Sequence, residues 1–224
     1  MFWTEDKDDK TEFQVPENVL DVVYRIKCKC IPLEHAYALS EALHQALPWL
    51  ADEPVAGIHQ LYGAESGNGW ERPDTEVLYL SRRQHLILRL PKARLQEAEQ
   101  LTGQKLDVGG YPLEVGEFTT RRLSDLSTLF ARGVIAKEGQ SEVEFMQESA
   151  RQLEAMGIEV KKMICGRERS IRLPHTTLIT RSLMLADLEQ SQSVRLQELG
   201  LGPERKLGCG LFLPQKSISA VKPD

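Results

Sequence analysis

Two glycine pairs, Gly200 with Gly202 and Gly208 with Gly210, bracket an Arg205-Lys206 step in the stretch ELGLGPERKLGCGLFLP. Glycine admits positive φ and close approach of the backbone to a neighbour, and Arg and Lys bind phosphate, so this stretch has the chemistry of an anion cradle. It is not the dinucleotide fingerprint. That pattern needs a third glycine three residues after the second and a strand before the first, whereas here Arg205 occupies the place and a helix-like run precedes it. The Walker arrangement of Gly, four residues and Gly-Lys-Ser/Thr is also absent. Two readings of the residues remain open: a helix-to-strand loop shaped against phosphate, and a helix cap followed by a bulge with no ligand.

The other groups able to do chemistry are histidines and thiols. His35 opens a helix-like run and sits at the edge of its apolar arc. A first-turn position near the positive end of the helix dipole favours neutral imidazole, the form a general base requires. A surface or capping histidine fits the same residues. His44 falls on the polar face of that helix, His59 and His85 lie in strand-like runs, and His175 follows a proline. Cys28 and Cys30 stand two apart on a strand-like run and could join Cys165 and Cys209 as metal ligands. No CxxC pair is present, however, and buried reduced thiols are the simpler expectation.

These groups sit in a chain of 224 residues, 41% hydrophobic and 27% charged, which has the composition of a globular protein. No run reaches the roughly 18 apolar residues of a membrane span, and the opening MFWTEDKDDKTEFQ is acidic where a secretory leader is basic and then apolar. A cytoplasmic protein without membrane partners is expected. The net charge of −5 is unevenly spread. Residues 1–18 hold six acids and two lysines, whereas residues 158–224 hold 11 Lys and Arg against 7 Asp and Glu. The second half therefore leans basic, which suits an anionic partner and equally suits a solvated mixed surface.

The elements that must position these residues follow from periodicity. In VLDVVYRIKCKCIPL, Leu20, Val22, Tyr24, Ile26, Cys28 and Cys30 alternate with more polar residues as on a half-buried strand. EHAYALSEALHQALPWL gathers Leu39, Ala42, Leu43, Ala46, Leu47 and Leu50 on one helical face. Strands are predicted around AGIHQLY and through EVLYLSRRQHLILRL. A helix over PKARLQEAEQLTG follows, with Pro91 in its first turn and Gly103 as cap, and then a strand YPLEVGEF after a Gly-Gly turn. The second half repeats the order: a strand at TLFARGVIA and a helix opened by a Ser141/Glu144 capping box and closed near Gly157. Strands at IEVKKMIC and TTLITRSLML, a helix through QSVRLQELG and a last strand GLFLP complete it. Each half reads β-α-β-β-α-β. The expected class is α+β, two tandem ferredoxin-like modules with antiparallel sheets: an acidic tail over 1–18, one module over 19–120 and a second, carrying the glycine loop, over 121–224.

The glycine pattern resembles the C-terminal loop of RAMP-superfamily CRISPR-associated proteins, which are duplicated ferredoxin-like folds. The likeness extends through PLEHAYALSEALHQALPWL, GIHQLYG, GNGWERP, LYLSRRQHLILRLP, TLFARGV and TRSLMLADL. Together, from Val19 to Ile218, these blocks resemble the repeat-RNA processing endoribonuclease family, the sixth Cas protein, in its myxobacterial-type variety.

That resemblance implies binding of a CRISPR repeat stem-loop and its cleavage without metal or cofactor. A ribose 2′-OH would attack the adjacent phosphate and leave 2′,3′-cyclic phosphate and 5′-OH ends. Such a reaction needs a base, an acid for the leaving oxygen and positive charge around the phosphorus. It also implies His35 as the catalytic residue, because the family carries a histidine in a block that here reads Ile31-Pro32-Leu33-Glu34-His35; among the other histidines His59 is a distant second candidate. Tyr24, Tyr37, Arg181 and Ser182 stay open as its partner. RNA contact is expected from Arg82, Arg83, Arg121, Arg122, Arg167, Arg169, Arg172, Arg205 and Lys206 with Gly200, Gly202, Gly208 and Gly210. GRERSIR is expected to be a loop able to enter the groove of a hairpin. Other Cas subunits are expected partners. The alternatives are an RNA-holding subunit of the same superfamily without catalysis, and a small-ligand or protein-interaction domain on the same fold.

Overall fold

The computed structural model describes residues 13–62 and 76–215. The GNGWERP block and most of the acidic tail lie outside the described residues. The chain order is β1 (Val19–Lys27), β2 (Cys30–Pro32), α1 (Ala36–Ala46), β3 (Gly57–Ile58), β4 (Val77–Tyr79), β5 (His85–Pro91), α2 (Leu95–Ala98), β6 (Lys105–Val108) and β7 (Tyr111–Arg122). Then follow β8 (Leu129–Ala136), α3 (Glu142–Ala155), β9 (Lys162–Arg172), β10 (Thr177–Ala186), α4 (Gln190–Leu199) and β11 (Phe212–Pro214). The first sheet is ordered β3-β5-β1-β7-β6 and the second β11-β8-β10-β9. All pairings are antiparallel. Counted within each half, the main strands stand in the order 4-1-3-2 of a ferredoxin-like module, with β6 added as an outer hairpin strand beside β7.

Local chemistry accounts for the elements that match expectation. α1 buries Leu39, Ala42 and Leu43, the face its spacing assigns inward. α3 is opened by a complete capping box, Ser141 accepting from the Glu144 N–H and Glu144 from the Ser141 N–H.

Four stretches differ. β1 stops at Lys27, and Cys30 belongs to β2, which pairs with β4 away from the main sheets. Cys28 and Cys30 therefore do not share a strand face; the Cys28 thiol donates to the Cys30 carbonyl. EVLYLSRRQHLILRL is two strands, with Arg82 and Arg83 in the turn between them, where the Gln84 N–H closes onto the Ser81 carbonyl. In PKARLQEAEQLTG, Pro91 still pairs with Val19 in β5, and the helix after it is a single α-turn between two 3-10 turns. GRERSIR is strand, not loop: β9 runs on to Arg172 because β10 offers it a paired backbone as far as Thr177.

Each sheet buries one face under its helices. The first core joins Val22, Tyr24, Leu86, Leu88 and Leu90 to Leu39 and Leu43; the second joins Leu183, Leu185 and Phe212 to Phe145, Leu153 and Leu196. Since Val22 and Tyr24 face the helices, Asp21 and its ladder partner Arg89 face the other way, toward the second module. Arg89 is fully buried. Its Nε and Nη2 donate to the two Asp21 carboxylate oxygens at 2.8 and 3.2 Å, and its Nη1 to the carbonyls of Gln197 and Phe212 at 3.1 and 2.9 Å. Burial alone would raise the Asp21 carboxyl, but the Arg89 guanidinium, helped by His59 and Arg121, holds it at about 2. A small apolar cluster of Val19, Leu123 and Val194 packs beside this pair.

Removing one partner of a buried pair strands the other charge. Arg89→Met is therefore expected to cost about 3–5 kcal/mol at pH 7, and the double variant Asp21→Leu/Arg89→Met less than the single one, measured by urea unfolding.

Candidate functional site at the junction of the modules

His35 is the N-cap of α1 and only 4% exposed. Its Nε2 accepts the Leu61 N–H at 3.1 Å. The ring proton must then sit on Nδ1, which lies 3.1 Å from the Pro32 carbonyl and donates to it. Burial lowers the imidazole pKa against the smaller opposing pull of the Pro32 and Leu33 carbonyls. Burial thus favours the neutral ring, and both nitrogens are engaged.

Tyr62, the next residue after Leu61, is half-buried. The Arg132 guanidinium of β8 lies over its ring at 3.8 Å. Burial pushes the phenol up to about 12, with the charges of Arg132 and Arg169 pulling the other way. Neither Tyr62 nor Arg132 was singled out from the sequence. Their mark there is an arginine at an outward position of an apolar strand, between the buried Ala131 and Val134.

His59 and His44 serve the scaffold. His59 is buried with its Nε2 at 3.8 Å from an Asp21 oxygen; burial first, then Arg89, lowers it to about 3. His44 Nδ1 lies 2.7 Å from the Ser40 carbonyl one turn back. Of the four partner candidates, Tyr24 donates its hydroxyl to the Ala98 carbonyl inside the core, and Ser182 is buried. Arg181 reaches Gln140 and Glu168, while Tyr37 is half-buried in the first turn of α1.

The basic candidates divide in two. Arg82 and Arg83 in their turn, and Arg167, Arg169 and Arg172 on β9, are exposed. Arg121 and Arg122 are exposed but paired, the first to Asp21 at 3.0 Å and the second to Glu17. Arg205 turns inward, buried, and its Nη2 donates to the Val55 carbonyl at 2.8 Å, while Lys206 donates to the Ala51 carbonyl. The Arg-Lys step of the glycine loop thus grips the first module.

Of the glycines, Gly208 approaches the first module, and Gly200 and Gly210 pack within the second. Gly200 caps α4, and a carbon added to Gly208 would lie 2.7 Å from the Gln60 side chain, whose amide donates to the Leu207 carbonyl. Gly210 has φ +66°, its N–H donates to the Gly133 carbonyl at 2.7 Å, and an added carbon would sit 2.2 Å from the Leu201 carbonyl oxygen. What these two approach closely is the protein's own chain. Gly202 alone of the four is open, with nothing within 4 Å.

Among the described residues no three His, Cys, Asp or Glu come together to hold a metal ion, and the four cysteines are free thiols. No helix among them is long and apolar enough to cross a membrane.

Two ferredoxin-like modules closed by a glycine-rich loop are the architecture of RAMP proteins. A solved structure described as CRISPR associated protein Cas6 shares it, with a TM-score of 0.62 and 12% identity over 88% of this chain and 100% of that one. Another, described as a RAMP protein binding different RNA substrates, has a TM-score of 0.53 and 14% identity over 87% of this chain and 97% of that one. Residues 20–217 match the family model Cas6 Crispr. The CRISPR-associated endonuclease Cas6 of Myxococcus xanthus (strain DK1622) is 32% identical over 203 residues, 91% of this chain and 84% of that protein. The chain belongs to the Cas6 family.

Two predictions follow the geometry. Gly202→Ala is expected to cost about 1–2 kcal/mol, the ordinary penalty of a side chain at positive φ. Gly210→Ala is expected to cost substantially more, because its new methyl meets a carbonyl oxygen; chemical denaturation of both variants checks the difference. His35 and His59 both have folded pKa values below the unfolded one, so the unfolded chain binds more protons as the pH falls. Their contribution to stability is full above about pH 6.5 and declines below it, by up to about 1.4 kcal/mol per pH unit for each. Urea midpoints between pH 7.5 and 5.5 should show the decline, and His59→Gln should flatten it.

Proposed function

We propose that the chain is an endoribonuclease that binds the stem-loop of a CRISPR repeat and cuts precursor CRISPR RNA into guide RNAs. The cut proceeds by attack of a ribose 2′-OH on the adjacent phosphate, with no metal or cofactor, and leaves 2′,3′-cyclic phosphate and 5′-OH ends. The observation that carries this reading is the 32% identity to the Myxococcus Cas6 endonuclease over nearly the whole chain. The exposed Arg167, Arg169 and Arg172 on one strand of the β9–β10 hairpin, with Arg82 and Arg83, meet the RNA backbone in this reading. Guanidinium forks suit phosphate oxygens, and an A-form stem is met through backbone and shape. Arg121, Arg122, Arg205, Lys206 and the glycines hold the frame on which those groups stand.

His35 takes the 2′-OH proton at Nε2 in this reading. It is already neutral, and the one contact that must open is the Leu61 N–H. The engagement of both ring nitrogens favours a second reading, in which the chain holds RNA without cutting it and His35 serves only to pin Leu61.

Labelled repeat stem-loop RNA incubated in EDTA separates the two. Cleavage by the wild type, blocked by a 2′-deoxy ribose at the cut and slowed about 10²–10⁴-fold by His35→Ala with binding retained, supports the nuclease. Tight binding without a cut supports the holding subunit, and normal cleavage by His35→Ala removes that residue from the mechanism. Because a base works deprotonated and His35 is lowered, the acidic limb of kcat/KM should fall below the ordinary histidine value of about 6.5.

A further inference from the structure

Of the groups so far considered as the partner of His35, Tyr24 is spent in the core, Ser182 is buried and Arg181 is tied to its neighbours, which leaves Tyr37, half-buried in the first turn of α1. Tyr62 is placed differently. The Leu61 N–H that touches His35 Nε2 belongs to the residue just before it, so the segment that engages the imidazole also carries the phenol. Its hydroxyl has no hydrogen-bond partner among the described residues. Its ring lies under Arg132 at 3.8 Å, an arginine contributed by the other module. The segment that touches the imidazole thus carries a phenol that meets a guanidinium of the second module.

From this juxtaposition we infer that Tyr62 is the general acid of the cleavage, donating its hydroxyl proton to the departing 5′ oxygen, with Arg132 seated to hold the ring and carry the charge left behind. The assignment rests on the nuclease reading above. As O2′ bonds to phosphorus, the 2′-OH proton passes to His35 Nε2; as the P–O5′ bond breaks, its electron pair takes the proton of Tyr62. The products are the cyclic phosphate, a 5′-OH, an imidazolium and a phenolate, and proton exchange between the last two through solvent restores the enzyme. Burial keeps the phenol protonated at neutral pH, as an acid must be, while Arg132 and Arg169 favour the phenolate that proton transfer creates. The cation–π contact survives replacement of tyrosine by phenylalanine, which separates the hydroxyl's part from the ring's.

The test is single-turnover cleavage by the wild type and Tyr62→Phe of two repeat stem-loop RNAs. One is ordinary; the other carries sulfur in place of the bridging 5′ oxygen at the cut, and a thiolate leaves without needing a proton. The expected result is a loss of about 10²–10⁴-fold for Tyr62→Phe on the ordinary RNA. Its rate on the sulfur-bridged RNA should be near that of the wild type, with RNA affinity and melting temperature unchanged. Equal slowing on both RNAs would mean that the ring merely braces the junction and would overturn the assignment, as would undiminished cleavage of the ordinary RNA. A wild type that binds but cuts neither RNA overturns the nuclease reading and this assignment with it.

Discussion

A single guanidinium decides how the two halves of this protein meet. Arg89 is a buried fork of N–H donors without solvent, so acceptors must be brought to it. Asp21 supplies two oxygens from the neighbouring strand, and the carbonyls of Gln197 and Phe212 supply two more from the second module. An apolar contact in the same place would tolerate sliding. This one has a register, because the carbonyls of α4 and β11 must end where the fork points. The contact of Arg132 with the Tyr62 ring spans the same junction.

The glycine-rich loop is a second consequence of the same junction. Its Arg-Lys step and its tightest glycines are turned toward Val55, Ala51, Gln60 and Gly133, so the loop fastens α4 and β8 to the strand edge of the first module. The exposed arginines stand elsewhere, on β9 and in the β4–β5 turn. Scaffold cations and solvent-facing cations are thereby kept apart, and both kinds read alike in a string of letters.

Period and punctuation made most of the fold legible. The arc of α1, the Ser141–Glu144 box and the repeated strand-helix order are local, and local chemistry dictates them. The β9 extension was not legible, because GRERSIR lacks an apolar alternation and becomes strand only when Thr177–Arg181 lies alongside. The short β2–β4 pair depends in the same way on a partner more than forty residues off. At the site, His35 could be picked out but not its burial, since the Leu61 N–H that seals its ring is 26 residues away. Arg89 looks like a lone interruption in HLILRLP, and its acceptors lie 108 and 123 residues further on. Tyr62 and Arg132 come from different modules, so no window of sequence contains both.

The distance along the chain between Arg89 and Phe212 also has a meaning in time. As the polypeptide leaves the ribosome, the first module is complete in sequence long before the carbonyl that Arg89 awaits has been made. Until then two of the acceptors that Arg89 uses in the finished fold are missing. Only when β11 emerges does the fork close. A chain cut short before that point has its first core but no latch.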